Sequence, residues 1–336
     1  MKAKKVFWTT TLVAAALLVP AASRAGTLGP DIIGLFPKEV GEFAYADLKK
    51  ARQFKWFPQL KAQLLPSRFR QFEQFLASAG IDPNAQIEEL AWALVPPGVA
   101  KDSSDNSTAV PTGEQIVGVA LGQFSPPSAE AYFQAQKLPV TKVRGYTLFA
   151  FGTGAGANDL FFFFIDSNTA AFGHRSILEK LIEVRFGMEE GLLRNDKLFP
   201  LINEANGRGI VWAVLNPAFT RLAMQQLVPE AAQFPQANQL IGKIQALMID
   251  VDAGSELEAR FQAICATPED ANTFAALLQA ALLYRRYQEA PTNPDLARVI
   301  DDARITPRGD RLELRFALTE EQMLSLIRRN TFQVRM

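Results

Sequence analysis

The sequence predicts an α+β fold, with helices packed on antiparallel sheets, laid out as two tandem copies of a β-α-β-β-α-β-β-α unit. Three observations carry this. Apolar strand-like segments are mostly joined by short turns, helical segments come singly between hairpins, and one order of elements recurs in both halves. The expected divisions are a leader at 1–25, a first copy at 26–188 and a second at 189–336.

The leader has a basic start (Lys2, Lys4, Lys5), an apolar run from Val6 to Ala22, and small residues Ser23 and Ala25 flanking Arg24. This is the layout of a secretory signal peptide cut after Ala25, and the run is short for a spanning helix. No cysteine follows it to take a lipid anchor. The expectation is an exported protein, periplasmic or extracellular, soluble after cleavage.

The first copy opens with a strand at 42–47, followed by helix at 58–79, with Ser67 as a candidate N-cap, and a strand pair at 87–95 and 115–123. Residues 100–114 show no apolar period and read as a mobile insertion in that hairpin. Ser125-Pro126 starts a helix, with a hydroxyl at the cap and proline at the first helical position. A hairpin at 146–151 and 160–165 and a helix at 175–186 close the copy. Leu160-Phe-Phe-Phe-Phe-Ile165 is apolar on both faces, which predicts a strand covered above and below.

The second copy repeats the order: strand 210–215, helix from about 217, strands 244–252 and 256–266, and a helix at 271–287 opened by Thr267-Pro268. A hairpin at 303–306 and 312–318 follows, then a helix at 320–329 with Thr319 and Gln322 spaced as a capping box. Helix 271–287 is apolar nearly all round, which predicts burial in the core or between the copies.

Composition narrows the chemistry. The chain is 48% hydrophobic and 21% charged, the make-up of a globular protein. Without the leader it holds 31 basic and 35 acidic residues, a balance of −4 that excludes a generally basic nucleic-acid binder. One cysteine, Cys265, excludes an internal disulfide, and one histidine, His174, excludes sites that need two imidazoles. No metal or cofactor site is expected. No Gly-x-Ser-x-Gly elbow accompanies His174.

Other motifs have plain readings. Gly152-Thr-Gly-Ala-Gly156 is followed by a strand rather than a helix, so it is a hairpin loop and not a phosphate loop. Asp250-Val-Asp252-Ala-Gly254 lacks the later calcium ligands and reads as a turn between strands. Arg308-Gly309-Asp310 is a hairpin tip, and Asn106-Ser107-Thr108 is a glycosylation pattern that matters only on a glycosylating route.

Residues 48–70 stand apart. Lys49, Lys50, Arg52, Lys55, Lys61, Arg68 and Arg70 give +7 with no acid, against −11 for the rest of the mature chain, and Phe54, Trp56, Phe57 and Phe69 interleave with them. The functional reading is contact with acidic lipid headgroups, an anionic polymer or an acidic protein partner. The plain reading is a solvated face whose aromatics enter the core. Together these observations predict a non-catalytic exported binding or scaffold protein. One alternative is a carrier of an apolar ligand in a cavity between the copies. A second is a hydrolase working through carboxylates alone.

Overall fold

The computed structural model describes residues 26–96, 115–156, 159–227, 239, 241–254 and 256–331. The leader with its cleavage position, the 100–114 insertion and Asn106 lie outside the described residues.

Apolar alternation sets the strands, and one antiparallel sheet collects all twelve. In chain order they are β1 (Glu42–Asp47), β2 (Ile87–Val95), β3 (Gln115–Gly122), β4 (Val140–Val143), β5 (Tyr146–Phe151) and β6 (Leu160–Phe164). Then come β7 (Thr169–His174), β8 (Val211–Leu215), β9 (Ile244–Ala253), β10 (Leu257–Cys265), β11 (Arg304–Arg308) and β12 (Arg311–Leu318). Across the sheet the order is β11-β12-β10-β9-β8-β1-β2-β3-β7-β6-β5-β4. The halves therefore lie side by side, joined where β1 pairs with β8, Tyr45 opposite Trp212.

Helices cover both faces of the sheet. In chain order they are α1 (Pro30–Ile33), α2 (Leu48–Ala51), α3 (Phe57–Leu64), α4 (Ser67–Ser78), α5 (Pro83–Gln86) and α6 (Pro126–Ala135). The rest are α7 (Arg175–Arg185), α8 (Phe199–Ala205), α9 (Pro217–Leu227), α10 (Pro268–Glu289), α11 (Pro294–Asp301) and α12 (Glu320–Arg328). On one face, α1, α7 and α8 bury Ile33, Leu178, Leu181 and Ile202 against Phe43, Val117, Phe163, Trp212 and Met248. On the other, α4 and α6 cover Phe149 and Phe162, α9 and α10 cover Leu247 and Ala263, and α11 and α12 cover Leu257 and Leu318.

Period 2 explains β6. Phe161 and Phe163 face the first core and Phe162 and Phe164 the second, so every residue of the strand is buried, as its double-sided apolarity predicts. The seam between the halves is equally dense. Trp212 is wholly buried, stacked on Tyr45 at 5.5 Å, and its Nε1–H donates to the Gly26 carbonyl at 2.9 Å.

Some expectations give way. The predicted helix at 58–79 is two helices, α3 and α4, because Pro66 removes an N–H and bends the chain. Pro66, not Ser67, occupies the N-cap position, and no side chain caps that helix. Thr267 does cap α10, accepting from the Asp270 N–H at 3.1 Å, and Thr319 and Gln322 form the predicted capping box. Asp250 and Asp252 lie within β9, not in the turn after it.

The predicted element order is met in neither half as written: the second carries α11 as well as α10 before its last hairpin, and the first has four strands, β4 to β7, between α6 and α7, with β4 turned onto β5 through Arg144 and Gly145 at positive φ. Val140-Thr-Lys-Val is too short and polar to announce itself. The closing helices also differ, since α7 packs on one face and α12 on the other. Duplication of the predicted unit is therefore not confirmed.

Helix α10 corrects a further expectation. Only its first turns are buried, through Ala271 and Ala275, while Leu283, Tyr284 and Tyr287 are 64%, 64% and 81% exposed. Composition alone concealed this, because alanine and leucine fit a solvent-facing helix well. Among the described residues no helix is long and apolar enough to cross a membrane.

Candidate functional site

The basic segment 48–70 is a strap, held down by its aromatic residues. Trp56 is buried, stacked on Phe54 at 5.2 Å, and both join Val299, Leu318 and Ile327 of the second half. Farther along, Phe69 meets Phe172 edge-on at 6.4 Å, on the first half. The strap therefore ties the two halves together on one face.

Its seven cations divide by partner. Lys49 pairs with Glu88 at 3.0 Å, Lys61 pairs with Glu73 at 2.5 Å and donates to Asn84 Oδ1, and Arg68 lies 3.7 Å from Asp159. Arg52 and Arg70 donate to the carbonyls of Ile87 and Ala62 at 2.7 and 2.8 Å, bonds that leave their charge without a counter-ion. Lys50 and Lys55 have no side-chain partner among the described residues. Three of the seven charges are taken up by local ion pairs, and Lys50, Arg52, Lys55 and Arg70 keep an unneutralised cation.

Arg70 borders an open groove of about 660 Å³ between the α3–α4 corner and the end of α12. Gln59, Gln63, Pro66, Ile327, Arg328 and Asn330 complete its main walls, and among the described residues its charged lining is Arg70 and Arg328. Gln63 bridges the two sides by donating to the Ile327 carbonyl, and its own Oε1 is buried without a donor. Two arginines lining one open groove suit a ligand with an anionic group. Nothing in the sequence marks Arg328, because its approach to the strap is purely tertiary.

The remaining candidates are explained locally. The Gly152–Gly156 loop does hold an anion, but it is the chain's own Asp159, which accepts from Gly154 N–H at 2.7 Å, Gly156 N–H at 3.0 Å and Thr153 Oγ1 at 2.9 Å. Burial pushes the Asp159 carboxyl up, and the bonds from Gly156, Thr153 and Gly154 with the Arg68 charge outweigh it, leaving the group below the usual range. His174 Nδ1 accepts the Ile116 N–H at 2.9 Å and so ties β7 to β3. Burial first, and then the Arg68 charge, hold its pKa below the ordinary histidine value.

Cys265 is buried, and desolvation followed by Asp270 and Asp310 raises its thiol pKa. The buried carboxylates also have structural work: Asp47 caps α2, Asp250 meets Arg260 at 3.1 Å, and Asp270 holds Lys243 and Thr267. Among the described residues no group of three or more His, Cys, Asp or Glu side chains is placed to hold a metal ion.

No protein-family profile matches the sequence, and no curated protein matches it. The solved structure of TP0453 in crystal form III is similar at TM-score 0.52 and 10% identity, covering 89% of this chain and 98% of that one. Crystal form I of TP0453 gives 0.49 at 11% identity, covering 92% and 100%. The first likeness shows a shared α+β fold and carries nothing about activity.

Proposed function

We propose that this chain is an exported, non-catalytic binding or scaffold protein that contacts an anionic partner at the strap. The groove carries the reading: two arginines from distant parts of the chain line one open depression with no acid among its described lining residues. Lys50, Arg52 and Lys55 add unneutralised charge to the same strap, and a leader-like start supports export. On the face covered by α1, α7 and α8 the seam is packed with Phe43, Tyr45, Trp212 and Val214, so an apolar-ligand carrier would have to hold its ligand on the opposite face. A carboxylate hydrolase needs two acids facing across a cleft, and the buried acids are instead committed to caps and ion pairs.

The test is co-sedimentation with acidic-phospholipid vesicles and, separately, with dextran sulfate, at about 0.05 M and about 0.3 M salt. Wild type should bind at low salt and release at high salt, and the R70E/R328E variant should lose most of the binding. Absence of low-salt binding to either probe, or equal binding by the variant, removes the groove from the function.

A further inference from the structure

A second charged surface lies on the second half of the sheet, on the face opposite the strap. Strand register puts Asp250, Arg260, Arg315 and Arg304 side by side across β9, β10, β12 and β11. Directly paired residues share a face, and the adjacent positions Phe261, Leu314 and Ile305 belong to the opposite one, where Phe261 and Ile305 pack in the α10 core. The next charged row, two pairs along, sets Arg311 beside Arg308, and Glu313 beside Thr306 lies between the rows. Glu204 of α8 reaches this part of the face and binds Arg311.

Most of the charge there is matched. Arg260 lies between Asp250 at 3.1 Å and Glu258 at 2.8 Å, Arg315 also pairs with Glu258, and Glu204 takes Arg311 through both guanidinium nitrogens at 2.6 and 3.0 Å. Arg304 and Arg308 are exposed and have no partner among the described residues. Each stands directly opposite another arginine, an arrangement that destabilises a strand pair. An anion seated at each position relieves that repulsion.

We propose that this open face binds an extended acidic segment of a partner protein lying along β11, with carboxylates four residues apart. The spacing follows from strand geometry. Arg304 and Arg308 are four residues apart on one strand, about 13 Å, and an extended peptide has the same rise per residue. Planar guanidinium groups grip carboxylates in two-point contacts. Glu313, between the two positions, repels an acid placed two residues from the first. Pro307 lacks an N–H, so the partner lies over the side chains of this face and does not continue the ladder at the edge.

Charged residues on an edge strand also discourage pairing with another chain, and the experiment separates that role from binding. The probe is a fluorescein-labelled peptide of threonine and serine with two glutamates four residues apart. Its control has the same composition with the glutamates two apart. Anisotropy is read with the whole protein at about 0.05 M and about 0.3 M salt.

Wild type should bind the four-apart peptide at least about tenfold more tightly than the control, with weakening at high salt. The R304Q/R308Q variant should lose that preference while retaining the wild-type melting curve, and R70E/R328E should keep it. Equal affinity for both spacings, unchanged binding by R304Q/R308Q, or no binding by wild type overturns the proposal. If wild type does not bind and R304Q/R308Q self-associates, the arginines guard the edge.

Discussion

Replacing Trp212 by alanine tests whether the two halves share one core. The indole is 0% exposed, lies on Tyr45 at 5.5 Å and is 5.7 Å from Phe43, and donates to the Gly26 carbonyl. Removing a buried aromatic of this kind costs about 3–5 kcal/mol through lost transfer energy and the cavity left behind. The Gly26 carbonyl keeps the Gly207 N–H at 3.1 Å, so no orphan acceptor adds to that figure.

Trp212→Phe retains a ring and should cost about 1–2 kcal/mol, mostly one hydrogen bond and part of the buried area. The decisive quantity is the coupling between Trp212→Ala and Tyr45→Ala, since the two residues sit on β8 and β1. For stacked aromatic partners it should be about 0.5–1.5 kcal/mol. Urea unfolding followed by far-ultraviolet circular dichroism gives all four stabilities without relying on the mutated fluorophore. Additive single-mutant effects, or two separate transitions with only one moved by Trp212→Ala, would refute a common core across the seam.

Two further outcomes follow from the same structure. Neutral His174 accepts the Ile116 N–H and its folded pKa lies below the ordinary value, so the unfolded chain takes up a proton first as pH falls. Stability should be flat above about pH 6.5 and fall below it until the folded pKa is reached, with a slope of at most about 1.4 kcal/mol per pH unit. His174→Asn should flatten that window in urea titrations run across it, and an unchanged slope would place the titrating group elsewhere. On α10, Leu283→Gln should change stability by no more than about 0.5 kcal/mol, while Ala275→Leu, overpacked against the sheet, should cost about 1–3 kcal/mol by thermal melting.

Much of this fold is legible in the sequence where period and burial coincide. Strands β1 and β2 match the predicted bounds at both ends, and the double-sided apolarity of β6 predicts its burial between two cores. What escapes is information that no local pattern holds. The β1–β8 pairing joins residues far apart in the chain, and β4 is too short and polar to show a period. The exposure of α10 depends on which neighbours exist, not on its own composition.

The candidate site divides in the same way. Charge density along 48–70 is visible as a run of letters, but the neutralisation of Lys49, Lys61 and Arg68 by Glu88, Glu73 and Asp159 is tertiary. So is the arrival of Arg328 beside Arg70.

The central β1–β8 ladder also sets a timetable. Ala46 pairs with Val211, so β1 is made long before the strand that closes its second side. At about 5–20 residues per second, on the order of ten to thirty seconds of synthesis separate the two. During that interval β1 has an unpaired edge, and Phe43 and Tyr45 lack the Trp212 surface that covers them in the finished molecule. Such an edge recruits other chains. Substitutions in β1 should therefore lower the yield of protein from cells beyond what their cost in stability accounts for, because part of the risk they alter falls before the last strand is made.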